Sequence, residues 1–138
     1  IYESLQDSNE IYKWGVYTKK IPDKLFDNNI TFLGDAAHPM VPFLGQGGCM
    51  ALEDAYIFGK LIKLNDSMKT SQIMYQKLRY KRVKKIYKDS ALQGKLNHIS
   101  NPFIAYCRNF LMKYMLVEVL KPNSIWGYDP DVEIKKIR

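Results

Sequence analysis

The period of apolar positions changes several times along this chain, and each change predicts an element. A short apolar run, Ile30 to Leu33, closed by Gly34-Asp35, predicts a buried strand. After a segment holding Pro39, Pro42, Gly45, Gly47 and Gly48, apolar and small residues return at spacings of three and four. Gly48, Ala51, Ala55, Phe58 and Ile62 then predict a helix by sharing one face. Upstream, Tyr12, Trp14 and Val16 alternate against Ile11, Lys13 and Tyr17, which predicts a strand in which Trp14 and Tyr17 pack on a sheet rather than touch substrate. Downstream, a second helix is expected from Ser71 to about Leu92, capped by Thr70 or Ser71. Its apolar face carries Ile73, Tyr80, Val83, Tyr87 and Ala91, and a separate stripe carries Lys77, Lys81, Lys84 and Lys88. Asn97 to Asn101 breaks this helix, and Pro102 opens a further apolar helix over Phe103–Leu120.

The first of these helices has chemistry at its start. A carboxylate, Asp35, closes the predicted strand, and a glycine-rich loop feeds a helix whose first amides lack an obvious side-chain cap. Free N–H groups at the positive end of a helix dipole suit an electron-rich ligand atom. Gly47 and Gly48 would let such a ligand approach the backbone. The same spacing also describes an ordinary strand-to-helix connection with amides satisfied by water, and spacing alone leaves both readings open.

The full string is more specific. Gly34-Asp35-Ala36-Ala37-His38-Pro39, then Pro42, Gly45-Gln46-Gly47 and Glu53-Asp54-Ala55, resembles the second FAD-binding motif of single-component flavoprotein monooxygenases, the aromatic-ring hydroxylases of the para-hydroxybenzoate and salicylate hydroxylase type. The resemblance implies cofactor contacts at Gly34, Asp35, Pro42, Gly45, Gly47, Gly48 and Cys49. Asp35 would hold a hydroxyl of the FAD ribityl chain, Pro42 would lie beside the isoalloxazine ring, and the amides of Gly47, Gly48 and Cys49 would face the flavin N1 and O2 edge. It also implies reduction of FAD by NAD(P)H, and hydroxylation of an aromatic or similar small molecule with O₂ through a C4a-hydroperoxyflavin. A flavin-dependent epoxidase of the same superfamily would share the motif. A non-catalytic basic interaction module is the reading from a different class.

The implied fold is α/β: the C-terminal part of a Rossmann-like FAD-binding domain, with a piece of the substrate-domain sheet and a C-terminal helical region. Residues 1–29 would end the substrate-binding domain and return from it, 30–64 would form the FAD-binding strand, loop and helix, and 65–138 the C-terminal helices and tail. The sequence contains no Gly-x-Gly-x-x-Gly for the FAD pyrophosphate. The chain is therefore expected to be a fragment whose partner is the N-terminal part of the same protein, and to bind FAD poorly alone.

The remaining features alter this picture little. A net charge of +7 admits nucleic acid or an anionic surface as partner, but no nucleic-acid motif accompanies the lysines, and a solvated helix face is the preferred account. Phe103–Leu120 carries Arg108, Asn109, Lys113 and Glu118, so it is a poor membrane span, with peripheral contact left open. Cys49 and Cys107 form no CxxC, which fits a reducing cytoplasm, and the two histidines show no ligand spacing, so no metal is expected. His38 is read as a hydrogen-bonding prop for the loop rather than a proton shuttle, and no residue is assigned as catalytic acid or base. Glu53 and Asp54 are read as carboxylates stabilised by the helix dipole. The end of the chain, after Ile125–Asp129, is expected to be polar and frayed.

Overall fold

The computed structural model describes residues 12, 14–114, 125 and 127–137. Among the described residues the regular structure comprises four α-helices, two 3-10 turns and one small hairpin. Strands β1 (Phe26–Asp27) and β2 (Ile30–Thr31) pair antiparallel, with Phe26 opposite Thr31 and Asp27 opposite Ile30. Asn28 turns the hairpin at φ 48°, a left-handed conformation that asparagine tolerates better than most residues. Two 3-10 turns follow, Gly34–Ala36 and Pro42–Leu44, and then helices α1 (Gly47–Leu64), α2 (Met68–Asn97), α3 (Pro102–Tyr114) and α4 (Pro130–Lys135).

The strand predicted over Ile30–Leu33 is shorter and less buried than expected. Only Ile30–Thr31 pairs, Ile30 is 61% exposed, and Phe32 and Leu33 are half-buried. Among the described residues the hairpin partner is the only neighbouring strand, and side chains of α2 reach two of the carbonyls on this segment. Gln72 Nε2 donates to the Ile30 carbonyl at 3.4 Å and to Thr31 Oγ1 at 3.1 Å, and Tyr75 OH donates to the Phe32 carbonyl at 3.2 Å. The strand predicted over Ile11–Tyr17 is absent from Tyr12 and 14–17, where Trp14 and Tyr17 are 85% and 88% exposed; Ile11 and Lys13 lie outside the described residues.

Helix α1 buries a different stripe from the one its small residues suggested. Met50, Asp54, Ile57 and Leu61 face the core, one position behind Ala51, Ala55, Phe58 and Ile62. A pattern read from apolar residues rejects Asp54 and so shifts by one residue, about 100° around the helix. Ala51 and Phe58 flank the buried stripe, Phe58 meeting the Tyr75 ring edge-on at 5.4 Å.

Helix α2 starts earlier than predicted, with Ser67 as its cap, accepting from the Thr70 amide. Ser71 is instead buried, its hydroxyl donating to the Leu61 carbonyl at 3.0 Å where α1 ends. Tyr75, Arg79, Val83, Ile86, Ser90 and Gly94 continue the buried face, whereas Lys77, Lys81, Lys84 and Lys88 are all exposed. Helix α3 begins at Pro102, with the Asn101 side chain accepting the amides of Phe103 and Ile104. The rest of its predicted length, from 115, lies outside the described residues. The tail does not simply fray: Asp129 caps α4, Ile134 is buried, and Asp131 binds Tyr56 OH and Lys60 of α1. The core gathers Ile21, Leu25, Ala37, Met50, Ile57 and Leu61 against α2 and Ile134. No helix of the described residues is long and apolar enough to cross a membrane.

Candidate functional site

The segment between the hairpin and α1 is fixed at two glycines. Gly34 takes φ +54°, and its carbonyl accepts the amides of both Ala37 and His38 at 2.9 Å. This closes a tight turn with Asp35 exposed on its outside. A Cβ at Gly34 would come within 3.0 Å of the Ala51 Cβ, so the turn lies directly on α1. Asp35, Ala36, Ala37 and Pro39 line a cleft of about 520 Å³ together with Lys19, Lys20, Pro22 and Phe32.

Gly45 is the second fixed point. At φ +63° it ends the Pro42–Leu44 turn, its amide donating to the Pro42 carbonyl at 2.9 Å. The chain then passes through buried Gln46 into α1 with no side-chain cap. The Met50 amide makes the helix's first hydrogen bond, to the Gln46 carbonyl, so the amides of Gly47, Gly48 and Cys49 precede the helical ladder. A Cβ at Gly47 or Gly48 would meet nothing within 4 Å, so no side chain packs against either glycine on that side. Helix α2 cradles the loop from behind. Ser90 Oγ donates to the Val41 carbonyl at 2.5 Å, and the Phe43 ring lies on Gly94, where any Cβ would overlap it.

Beneath both segments lies a buried group of charges. Asp54 Oδ2 accepts the Gly34 amide at 3.0 Å and lies 2.6 Å from His38 Nε2, while Asp54 Oδ1 accepts from Arg79 Nε at 2.7 Å. Arg79 Nη1 donates to Glu53 Oε2 at 2.7 Å, and Arg82 donates to both Glu53 oxygens at 2.8 and 2.6 Å. The Tyr128 ring covers Arg82, its centroid 3.8 Å from the guanidinium carbon. Burial opposes ionisation of Asp54, but the His38 hydrogen bond, the Arg79 charge and the Gly34 amide together hold its carboxyl below the usual range. Burial likewise opposes the charge on Arg79, and Asp54 and Glu53 outweigh it, raising its pKa. An ionised carboxylate can only accept, so His38 Nε2 carries a proton. Burial, chiefly, raises the Tyr75 phenol far above its ordinary value, so it stays protonated.

The sequence-predicted positions thus occupy two adjoining segments: Gly34 and Asp35 on the turn, and Pro42, Gly45, Gly47, Gly48 and Cys49 along the loop and helix start. Asp35, Pro42, Gly45, Gly48 and Cys49 are exposed, Gly47 is half-buried and Gly34 buried. The dipole reading of Glu53 and Asp54 gives way to the arginine pairs, since neither lies in the first turn of α1. Arg79 was missed as a core residue, although it stands four residues from both Tyr75 and Val83 on one helical face. Among the described residues no cluster of His, Cys, Asp or Glu is arranged to hold a metal.

This fold is shared with Klebsiella pneumoniae HpxO. The structure of that protein complexed with FAD and uric acid superposes with a TM-score of 0.68 at 22% identity, over 78% of this chain and 28% of HpxO. No protein-family model matches the chain. In sequence it is 39% identical over 95 residues to 2-heptyl-3-hydroxy-4(1H)-quinolone synthase of Pseudomonas aeruginosa, covering 69% of this chain and 23% of the relative. It is 37% identical over 83 residues to aurachin C monooxygenase/isomerase of Stigmatella aurantiaca, covering 60% and 22%. With 3-hydroxybenzoate 6-hydroxylase of Klebsiella oxytoca it shares 32% over 87 residues, covering 62% and 22%. The chain is homologous to a part of the flavin-dependent aromatic hydroxylases and monooxygenases. It spans less than a quarter of the length of these three relatives.

Proposed function

We propose that this chain is the C-terminal portion of an FAD-dependent, NAD(P)H-using monooxygenase, and that Gly34–Cys49 forms its part of the flavin site. The observation that carries this reading is the pairing of exposed Asp35 with the uncapped amides of Gly47, Gly48 and Cys49, both resting on one helix. The residues fit the cofactor. Asp35 offers a carboxylate acceptor to a ribityl hydroxyl, and the glycine amides offer donors to the electron-rich edge of a flavin ring. Gly47 and Gly48 carry no side chain, and nothing packs where one would stand, so a ligand can come close to the backbone there. FAD, when bound, supplies the oxygen-transfer chemistry, while the chain's own groups bind it, orient it and favour negative charge on its pyrimidine edge.

In this reading residues 1–29 belong with the substrate domain, 30–64 with the flavin site and 65–138 with the supporting helices. The substrate is a small molecule with a planar conjugated ring, the feature shared by the hydroxybenzoate and the hydroxyquinolone of the relatives' names and the uric acid bound to HpxO. The test is the full-length protein, as its gene encodes it, purified and examined for a flavin spectrum. NAD(P)H consumption and oxygen uptake are then followed across hydroxybenzoates, hydroxyquinolones and purines. A flavin spectrum with ring-dependent NAD(P)H oxidation is expected. A colourless protein that consumes no NAD(P)H with FAD added would overturn the proposal.

A further inference from the structure

Asp35 sits between two anchors that end on a single oxygen atom. Asp54 Oδ2 accepts the Gly34 amide at 3.0 Å and the His38 ring nitrogen at 2.6 Å, one residue before Asp35 and three after it. The turn they enclose is itself closed by the Ala37 and His38 amides on the Gly34 carbonyl. The other oxygen, Oδ1, is held by Arg79 Nε at 2.7 Å, and Arg79 is held in turn by Glu53 and the Met50 carbonyl. The carboxylate therefore has no freedom to swing, and neither does the turn fastened to it.

Asp54 belongs to the same helix that presents the glycine amides, seven residues or about 10 Å along its axis from Gly47. A turn fastened to Asp54 is thus indexed to the helix start. Ala51 beneath Gly34 removes the remaining slack. We propose that Asp54, with His38 as its second clamp, is the positioning device that sets the Asp35 carboxylate at a fixed reach from the amides of Gly47, Gly48 and Cys49. This rests on the flavin reading of those groups. Asp54 and His38 are fully buried, so both act through Asp35 and not on a ligand.

The chemistry explains why an ionised carboxylate stands here. Three N–H donors converge on it, and only a carboxylate offers both oxygens as acceptors. Asparagine has the same shape but would turn an NH₂ toward one set of donors. A hydrophobic residue would fill the space and leave the Gly34 amide, His38 and Arg79 without partners, which is why burying this charge is tolerated.

A plain contribution to stability and a positioning role differ in one measurable way. If His38 acts through Asp35, its removal matters for FAD only while Asp35 is present. The experiment is a double-mutant cycle on the full-length protein, with FAD affinity read by flavin fluorescence for wild type, His38→Ala, Asp35→Ala and the double variant. Each is first shown to be folded by circular dichroism. His38→Ala is expected to weaken FAD about tenfold with Asp35 present and less than about twofold in the Asp35→Ala background. His38→Gln, which keeps an N–H donor near the Nε2 position, is expected to recover most of the loss. Equal effects in both backgrounds, or unchanged affinity in folded His38→Ala, would overturn the positioning role alone. Wild-type protein that binds no FAD would overturn the flavin reading and this role with it. Asp54→Asn, if folded, is expected to follow His38→Ala, and wild-type affinity in that variant would contradict the proposal.

Discussion

Arg79 and Asp54 form an ion pair, Nε to Oδ1 at 2.7 Å, in which neither side chain has any exposed surface. Two charges this deep are retained only when each satisfies the other and their remaining hydrogen-bonding groups find partners. Both conditions hold, through Glu53, the Met50 carbonyl, His38 and the Gly34 amide. Removing one member strands the other. Arg79→Met should therefore lower unfolding stability by about 3–5 kcal/mol, measured as a shift in denaturant midpoint. A change below about 1 kcal/mol, the range of exposed pairs, would show that the pair is not buried in solution.

Acid should act on the same carboxylate. Burial pushes the Asp54 pKa up, but His38, Arg79 and the Gly34 amide bring it below its ordinary value. Its folded pKa therefore lies below the unfolded value of about 3.9. The stabilisation it gives is complete above that unfolded value and is lost as pH falls through the lower, folded one. Denaturant midpoints measured from pH 7 to 2 should fall more steeply below about pH 4 in wild type than in folded Asp54→Asn. Parallel curves would refute the assignment.

The glycines of the site should respond in opposite ways. Alanine at Gly34 must adopt φ +54° and crowd Ala51, so Gly34→Ala should cost at least about 1–2 kcal/mol of stability. Alanine at Gly48 meets open space within a helix and should leave stability unchanged or raised by up to about 1 kcal/mol, while weakening FAD by filling the approach to the amides. Thermal unfolding and FAD titration of the two variants separate these effects. A Gly48→Ala protein with wild-type FAD affinity would count against the amides as flavin contacts.

The lysine stripe of α2 offers a control. Lys77, Lys81, Lys84 and Lys88 are exposed and belong to the face opposite Arg79 and Val83. Reversing all four to glutamate should leave flavin affinity within about twofold, because exposed charges act weakly through solvent. A salt-dependent affinity for nucleic acid in wild type, lost in this variant, would instead favour a basic interaction module.

The parts of this fold legible in the sequence are those set by local chemistry. Gly34-Asp35, the Pro and Gly punctuation and the run of helical spacing after Gly48 mark the turn, the loop and α1, because each depends on residues next to one another. The buried stripe of α1 was not legible, since Asp54 is apolar in neither character nor cost until Arg79, 25 residues later, neutralises it. The same holds for Arg79, whose burial requires Glu53 and Asp54 from another helix. Ile30–Leu33 misled in the other direction: an apolar run is buried as a strand only between flanking strands, and among the described residues it has β1 alone, with Gln72 and Tyr75 donating to its Ile30 and Phe32 carbonyls. The tail carried a capping signal, Asp129-Pro130, that outranked its polar composition.

If Gly34–Cys49 grips a flavin as proposed, Asp35 is the side chain that reaches it. FAD titration of the full-length protein, wild type against Asp35→Ala, tests this most directly. Asp35 is exposed, so its loss should not disturb the fold. One lost charge-assisted hydrogen bond is worth about 1.5–3 kcal/mol, roughly ten- to a hundredfold in affinity. Saturable one-to-one binding is expected in wild type, with a loss of that size in a folded variant. Equal affinity in the two proteins, or no saturable binding in either, would contradict the proposal.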